Sequence, residues 1–306
     1  MHGGTRFRDP VLIDDAVRSE IHALERIAPL HNAPALTAID EARRAVQGVP
    51  HVAVFDTAFH ATLPEVAGLY AVPPIWRAWG VRRYGFHGLS VAWSAERAPE
   101  LVARPVEGLR IVVCHLGGGS SITAVRDGRS VDTTMGFSPL EGVPMTTRSG
   151  SVDPGALLFL QREHGLDVDD LDHALNHESG VKALAGGSGE MIELEQRVRD
   201  SDPDASLALK VFSYRVASAV AAMAVAARGI DALVFTAGIG EGSPVVRERV
   251  CSLLEFLGVQ LDAERNSTAT PDCDIAADDS PARVLVVRAR EELVAARAAR
   301  RYLATN

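Results

Sequence analysis

Arg148 is the single cation in residues 131–155, a stretch that is polar and rich in glycine, proline and threonine. Hydroxyls flank it at Thr146, Thr147 and Ser149, and Gly150 follows closely. A guanidinium on a glycine-flanked loop suits a planar, negatively charged transition state. The plainer alternative is an elaborate surface loop. Long ordered loops between regular elements are uncommon, however, and they tend to carry function. Two glycine-rich turns could complement such a cation. In His115-Leu116-Gly117-Gly118-Gly119-Ser120-Ser121 the glycines let several backbone N–H groups point into one concavity and form an anion nest. An ordinary glycine hairpin reads the same way. Thr236-Ala-Gly-Ile-Gly-Glu241 has the form of a strand end, a glycine turn and a helix start, which can approach a nucleotide or phosphate closely. It lacks the third glycine of the dinucleotide fingerprint.

Four further residues could join this chemistry. His87 lies between Phe86 and Gly88, a setting in which a lone histidine is more often structural. Asp56 follows the apolar run 52–55 and reads equally as a capping aspartate or a site carboxylate. Glu291 and Glu292 read first as helix first-turn acids favoured by the dipole. They could also reach a divalent metal beside a phosphate.

The elements that must position these residues follow from periodicity. Residues 11–28 repeat as a helix ending before Pro29, and a second helix is expected over 38–47. Residues 52–55 form a short buried strand that delivers Asp56 at its C-terminal end. Strands are expected over 109–115, 122–126 and 129–133, the last two joined by the hairpin pair Asp127-Gly128. Helices follow at about 154–164, 168–176 and 205–228, the last closed by Gly229. A strand at 231–236, a helix at 244–257, a strand at 283–287 and a helix from 290 to 303 complete the chain. An antiparallel meander continued by parallel crossovers is an α/β arrangement. It resembles the half-domain of the actin-like, sugar-kinase and Hsp70 superfamily, which is ribonuclease H-like.

Composition narrows the partners. The 306 residues are 47% hydrophobic with a net charge of −9, which argues against a sequence-independent nucleic-acid footprint. Three widely spaced cysteines, Cys114, Cys251 and Cys273, fit a reducing compartment rather than a disulfide framework or zinc site. No uncharged run of 18 apolar residues and no signal-peptide pattern is present, so no membrane association and a cytoplasmic location are expected. Only two lysines occur, Lys182 and Lys210, and neither follows a glycine, which excludes a Walker A loop.

Taken in order, the motifs identify a known family. His2-Gly-Gly4, Ala28-Pro-Leu-His-Asn32, Val54-Phe-Asp-Thr-Ala-Phe-His60, Arg82-Arg-Tyr-Gly-Phe-His-Gly88, Cys114-His-Leu-Gly117, Asp132 to Pro154, Phe235-Thr-Ala-Gly-Ile-Gly-Glu241 and Glu291-Glu-Leu293 all match. Over its whole length the chain resembles the acetate kinase (acetokinase) family. The resemblance implies reversible transfer of the ATP γ-phosphoryl group to acetate or another short acyl carboxylate, in a homodimer. It implies that His87 and Arg148 contact the transferring phosphoryl group and that Asp56 is the active-site aspartate. Glu291 would hold Mg²⁺ or Mn²⁺. His115, Leu116, Gly117, Gly118 and Gly119 would line the phosphates. Glu190, Met191 and Ile192, with Gly238, Ile239, Gly240, Glu241 and Gly242, would bound the nucleotide.

The same comparison sets expectations of difference. Gly118 and Gly242 stand where the family has asparagines, Ile192 where it has an arginine, and Arg290 where it has an asparagine. The family's opening quarter to third, with a serine-rich turn and a carboxylate-holding arginine, has no counterpart here. This points to a misassigned start or a gene fragment, one near-complete domain beside a truncated one, and exposed apolar surface. The expected division is residues 1–57 with the C-terminal helix 293–306 as a remnant, and 58–292 as the main domain. Little acetate-dependent ADP formation is then expected of the chain as given. The alternatives are a non-catalytic paralogue or fragment acting as a binding module, and a propionate kinase.

Overall fold

The computed structural model describes residues 1–305, without the side chains of residues 29–31; Asn306 lies outside the described residues. Its centre is a six-stranded sheet. The strands are β3 (Arg110–Leu116), β4 (Ser120–Arg126), β5 (Arg129–Thr133), β6 (Ala232–Thr236), β7 (Cys273–Asp274) and β8 (Arg283–Val286), in the order β5-β4-β3-β6-β8-β7. A separate pair, β1 (Val11–Leu12) and β2 (Val52–Ala53), runs antiparallel near the N-terminus. β3, β4 and β5 form the antiparallel meander, while β3, β6 and β8 run parallel. The meander-plus-crossover order expected from sequence is therefore present. At the β4–β5 turn Asp127 and Gly128 both take positive φ, 52° and 72°, as a two-residue hairpin with right-handed strand twist requires.

The parallel strands are buried on both faces, which is why they read as continuous apolar runs. On one face Val112, Cys114, Leu233 and Phe235 pack beneath the helix Pro203–Ala227 through Leu209, Phe212, Val216 and Val220. Each such large side chain contributes roughly 1.5–3 kcal/mol by leaving water. On the other face Ile111, Val113 and Val234 meet Val91 and Trp93 of the helix Gly88–Leu101. The C-terminal helix Glu291–Thr305 lies beside that helix, with Arg297 stacked over Trp93. Pro203–Ala227 is long and apolar enough to span a membrane, but half of its most apolar window is buried against this core.

Several boundaries depart from expectation. Residues 11–28 are not one helix. Val11–Leu12 pairs with β2, Asp14 caps a helix over Asp15–Ala23, and Pro29 opens the next helix, Pro29–Ala45. Proline suits a first helical turn because its missing N–H would have no partner there. Arg228 rather than Gly229 takes the left-handed position, φ 63°, that ends Pro203–Ala227. The expected strand over 52–55 shortens to Val52–Ala53, because Phe55 turns into a small core with Phe7, Ile13, Ile21 and Leu36. The expected helix over 244–257 shortens to Pro244–Ser252, followed by a 3-10 turn. Gly180–Ala185, Met191–Arg199 and β7 were not anticipated. Apolar side chains are exposed between residues 65 and 80, including Val66 and Trp79.

Candidate active site

Asp56 lies just past Phe55 and holds the start of the helix Gly88–Leu101. Its Oδ2 accepts the His87 N–H at 2.8 Å and its Oδ1 accepts the Leu89 N–H at 3.3 Å. Its backbone oxygen accepts from Gly88 N, and a Cβ at Gly88 would come within 2.1 Å of that oxygen. Only glycine fits there. His87 itself takes φ 59°, a left-handed backbone that is uncommon outside glycine. Its Nδ1 is 3.0 Å from Ser121 Oγ, and its ring stacks on His115 at 4.0 Å between centroids. That fixes the ring so that Nε2 faces the glycine turn.

Arg148 is positioned by a backbone zipper. Met145 N donates to Arg148 O, Ser149 N to Leu175 O, Val181 N to Met145 O and Lys182 N to Thr146 O. A Cβ at Gly180 would sit 2.1 Å from Met145 O and 2.7 Å from Arg148 O, so glycine permits the approach. The other end of the loop is tied by Arg83, which donates to Thr133 O at 2.8 Å, Thr134 O at 2.9 Å and the Glu141 carboxylate at 2.8 Å. Tyr70 also donates to Glu141. Arg148 Nη1 reaches Pro139 O at 3.4 Å, and Arg148 forms no ion pair among the described residues. Burial lowers its pKa from the usual value.

These two chains of contacts meet at Gly119. A Cβ built there would lie 3.3 Å from His87 Nε2 and 3.4 Å from Arg148 Nη1. The tips of two cationic-capable side chains therefore converge on the glycine turn between β3 and β4. Behind them, His115 Nδ1 is 2.8 Å from Ser90 Oγ and 4.0 Å from Glu291 Oε1. Burial, then the neighbouring His87, hold the His115 pKa well below its usual value, so its contact with Glu291 is not an ion pair near neutrality. Glu291 moves the other way, raised by burial and then by the charges of Asp56 and Glu292.

Buried histidines make stability depend on pH. Desolvation lowers His60 as well, between Ser130 Oγ and Phe86 O. Unfolded imidazoles gain protons near pH 6.5, while these two do not when folded. The unfolded chain thus binds more protons as pH falls through 6.5, and stability is lost in that direction. The thermal unfolding midpoint is expected to be lower at pH 5.5 than at 7.5, with a shallower slope in His60→Gln. A flat midpoint across that window would contradict the assignment.

A cleft of about 240 Å³ opens beside the glycine turn, lined by Gly117, Gly118, Glu190, Met191, Ile192, Gly238, Ile239 and Gly242. Thr146, one of the hydroxyls beside Arg148, also lines it, as do Glu195 and Ser243, which the sequence did not single out. Not every expected nucleotide residue faces it. Leu116 is buried in the core, and Gly240 packs against the Phe235 backbone and Cys114 O, at 3.3 and 3.5 Å from where its Cβ would lie. Glu241 turns back to accept from Ala237 N and Ala289 N. The expected turn over 238–242 is itself a short helix, Ala237–Gly242.

Among the described residues no three His, Cys, Asp or Glu side chains gather as a metal cage. Glu291 with the nearby charge of Asp56 instead suits a hard cation that takes one or two carboxylates and shares its remaining positions with phosphate oxygens and water.

The sheet order, the glycine turn and the cleft define an α/β phosphotransferase of the actin-like, sugar-kinase class. The chain belongs to the acetokinase family, whose model matches residues 1–297. It is 46% identical over 303 residues to an acetate kinase of Synechococcus sp. strain JA-2-3B'a(2-13), a match covering 99% of this chain and 75% of that one. Its structure resembles a propionate kinase from Francisella tularensis (TM-score 0.92, 37% identity, 97% and 76% covered). It also resembles the acetate kinase of Porphyromonas gingivalis (TM-score 0.91, 37% identity, 97% and 75% covered). The expectation of a missing front part is not borne out by the family match, which begins at residue 1; the relatives align over 97–99% of this chain, and 75–76% of their own length is spanned.

Proposed function

We propose that this chain transfers the γ-phosphoryl group of ATP reversibly to acetate or a similarly short carboxylate, giving an acyl phosphate and ADP. The convergence of His87 Nε2 and Arg148 Nη1 on Gly119 supports this reading most directly. A carboxylate of pKa about 4 is ionised at neutral pH and needs no base to attack phosphorus. Catalysis then consists of holding the reactants in line and stabilising charge on the equatorial oxygens. Arg148 donates to that charge, and His87 Nε2 supplies a second donor at the same glycine turn. Backbone N–H groups of Gly118 and Gly119 hold the phosphates, and the cleft at Glu190–Ile192 and Gly238–Gly242 takes the nucleoside. Asp56 keeps the His87 backbone in place. Glu291 would hold Mg²⁺ or Mn²⁺, which would offset phosphate charge when bound. The working form would be a cytoplasmic homodimer without nucleic-acid or membrane partners.

The test is formation of ADP by the purified chain with Mg²⁺, ATP and acetate, repeated in Glu291→Gln. The variant is expected to need roughly 10- to 100-fold more Mg²⁺ for half-maximal rate. An unchanged Mg²⁺ requirement would remove Glu291 from the metal site. One observation favours a second reading, a nucleotide-binding relative without transfer. Gly118 and Gly242 offer the cleft no side chain, and Ile192 stands 85% exposed at its rim. Binding of Mg·ADP without acetate-dependent ADP formation would select that reading.

A further inference from the structure

Arg247 is the largest side chain closed off from solvent, 1% exposed, and it forms no ion pair among the described residues. Its charge is spent on backbone and amide oxygens instead. Nη1 donates to Gly240 O at 3.0 Å and Glu241 O at 2.7 Å, the carbonyls that end the short helix Ala237–Gly242. Nε and Nη2 donate to Oδ1 and O of Asn266 at 2.8 and 2.9 Å. A buried charge without a carboxylate carries a desolvation cost that an apolar side chain of the same volume would avoid. Glu241 grips the other end of the same helix. Its Oε1 accepts from Ala237 N at 3.1 Å, where the backbone has a positive φ of 65°, and from Ala289 N at 2.8 Å. Ala289 lies two residues before Glu291.

We infer that Arg247 and Glu241 are positioning residues that fix the cleft-lining helix Ala237–Gly242 at both ends and tie it to the segment carrying Glu291. Neither needs to touch a ligand. Gly238, Ile239 and Gly242 face the cleft, while the two charged groups act from behind it. The inference rests on the nucleotide reading of that cleft, so its test begins with the unaltered 306-residue chain.

Binding of a fluorescent N-methylanthraniloyl ADP is measured with and without Mg²⁺, together with urea unfolding midpoints. Glu241→Ala is expected to weaken Mg²⁺-dependent binding about 10-fold or more, while Glu241→Gln, which keeps an acceptor oxygen, stays within about threefold of the unaltered chain. That rescue separates a backbone clamp from a carboxylate that meets the metal or nucleotide itself. Arg247→Met fills the volume but leaves four acceptor oxygens without their donor, and it is expected to weaken binding as Glu241→Ala does. Where Arg247→Met does not fold, the Glu241 pair decides. Unchanged affinity in Glu241→Ala, or equal loss in Glu241→Gln, would overturn the inference. If the unaltered chain binds no nucleotide, the reading of the cleft fails first and the clamp falls with it.

Discussion

Replacing Arg148 by alanine is expected to reduce phosphoryl transfer by about 10³-fold or more while leaving ADP affinity within a few-fold. An arginine on the transferring group contributes 10³–10⁵ in rate in related chemistry, about 4 kcal/mol or more of transition-state stabilisation. The structure explains why the loss should fall on the chemical step. Arg148 points at Gly119 and is not among the residues lining the cleft beyond it, so on the proposed reading it would meet charge that develops during transfer rather than the resting nucleotide. Its backbone is held independently of its side chain, by the pairing of residues 145–149 with 175–182. Alanine should therefore leave the loop and the unfolding midpoint nearly unchanged. Lysine is a poor substitute, because a point charge cannot match the fork that faces planar oxygens. The measurements are the rates of acetate-dependent ADP formation and of ATP formation from acetyl phosphate. An analogue of the transition state, Mg·ADP with aluminium fluoride, gives a binding counterpart, since such analogues bind more tightly than substrate. Equal analogue affinity in Arg148→Ala and the unaltered chain would remove Arg148 from the reaction.

How much of this was readable in the sequence depended on the kind of contact. β3, β4 and β5 were legible because burial and the Asp127-Gly128 turn are local signals. Arg148, His87, Asp56 and Glu291 stood out because their residue types could do chemistry and their flanking motifs matched a family. What could not be read is how those four are held. Ser121 behind His87, Ser90 behind His115 and the Arg83–Glu141–Tyr70 network are all long-range partners with ordinary side chains. Arg83 lay inside a quoted motif, yet nothing local said that it would grip the loop 50 residues away. Periodicity also misread residues 11–28, where a two-residue strand, a capped helix and a proline-led helix share one apolar repeat. Glu241 shows the opposite failure. Its motif promised a nucleotide contact, and its geometry assigns the carboxylate to two backbone amides.

Asp56 is where positioning and charge can be separated, and its replacement by alanine is expected to have the next largest effect. The carboxylate accepts the N–H groups of His87 and Leu89 at the start of the helix Gly88–Leu101. Removing such a cap costs about 0.5–2 kcal/mol of stability. The consequence for transfer is expected to be larger, because His87 occupies a left-handed conformation that its surroundings must enforce. Without Asp56 the backbone can relax, and a 1 Å displacement of a catalytic group costs on the order of 100-fold in rate. Asp56→Asn divides the two roles. It keeps one acceptor oxygen for the His87 N–H and removes the charge that acts on Glu291. Its unfolding midpoint should therefore stay close to that of the unaltered chain, while its Mg²⁺ requirement rises. Asp56→Ala should lose both stability and rate, and added Mg²⁺ should not restore the rate. If Asp56→Ala transfers phosphate as fast as the unaltered chain, the left-handed His87 does not depend on this carboxylate. In that case the stack on His115 and the bond to Ser121 are enough to aim its Nε2.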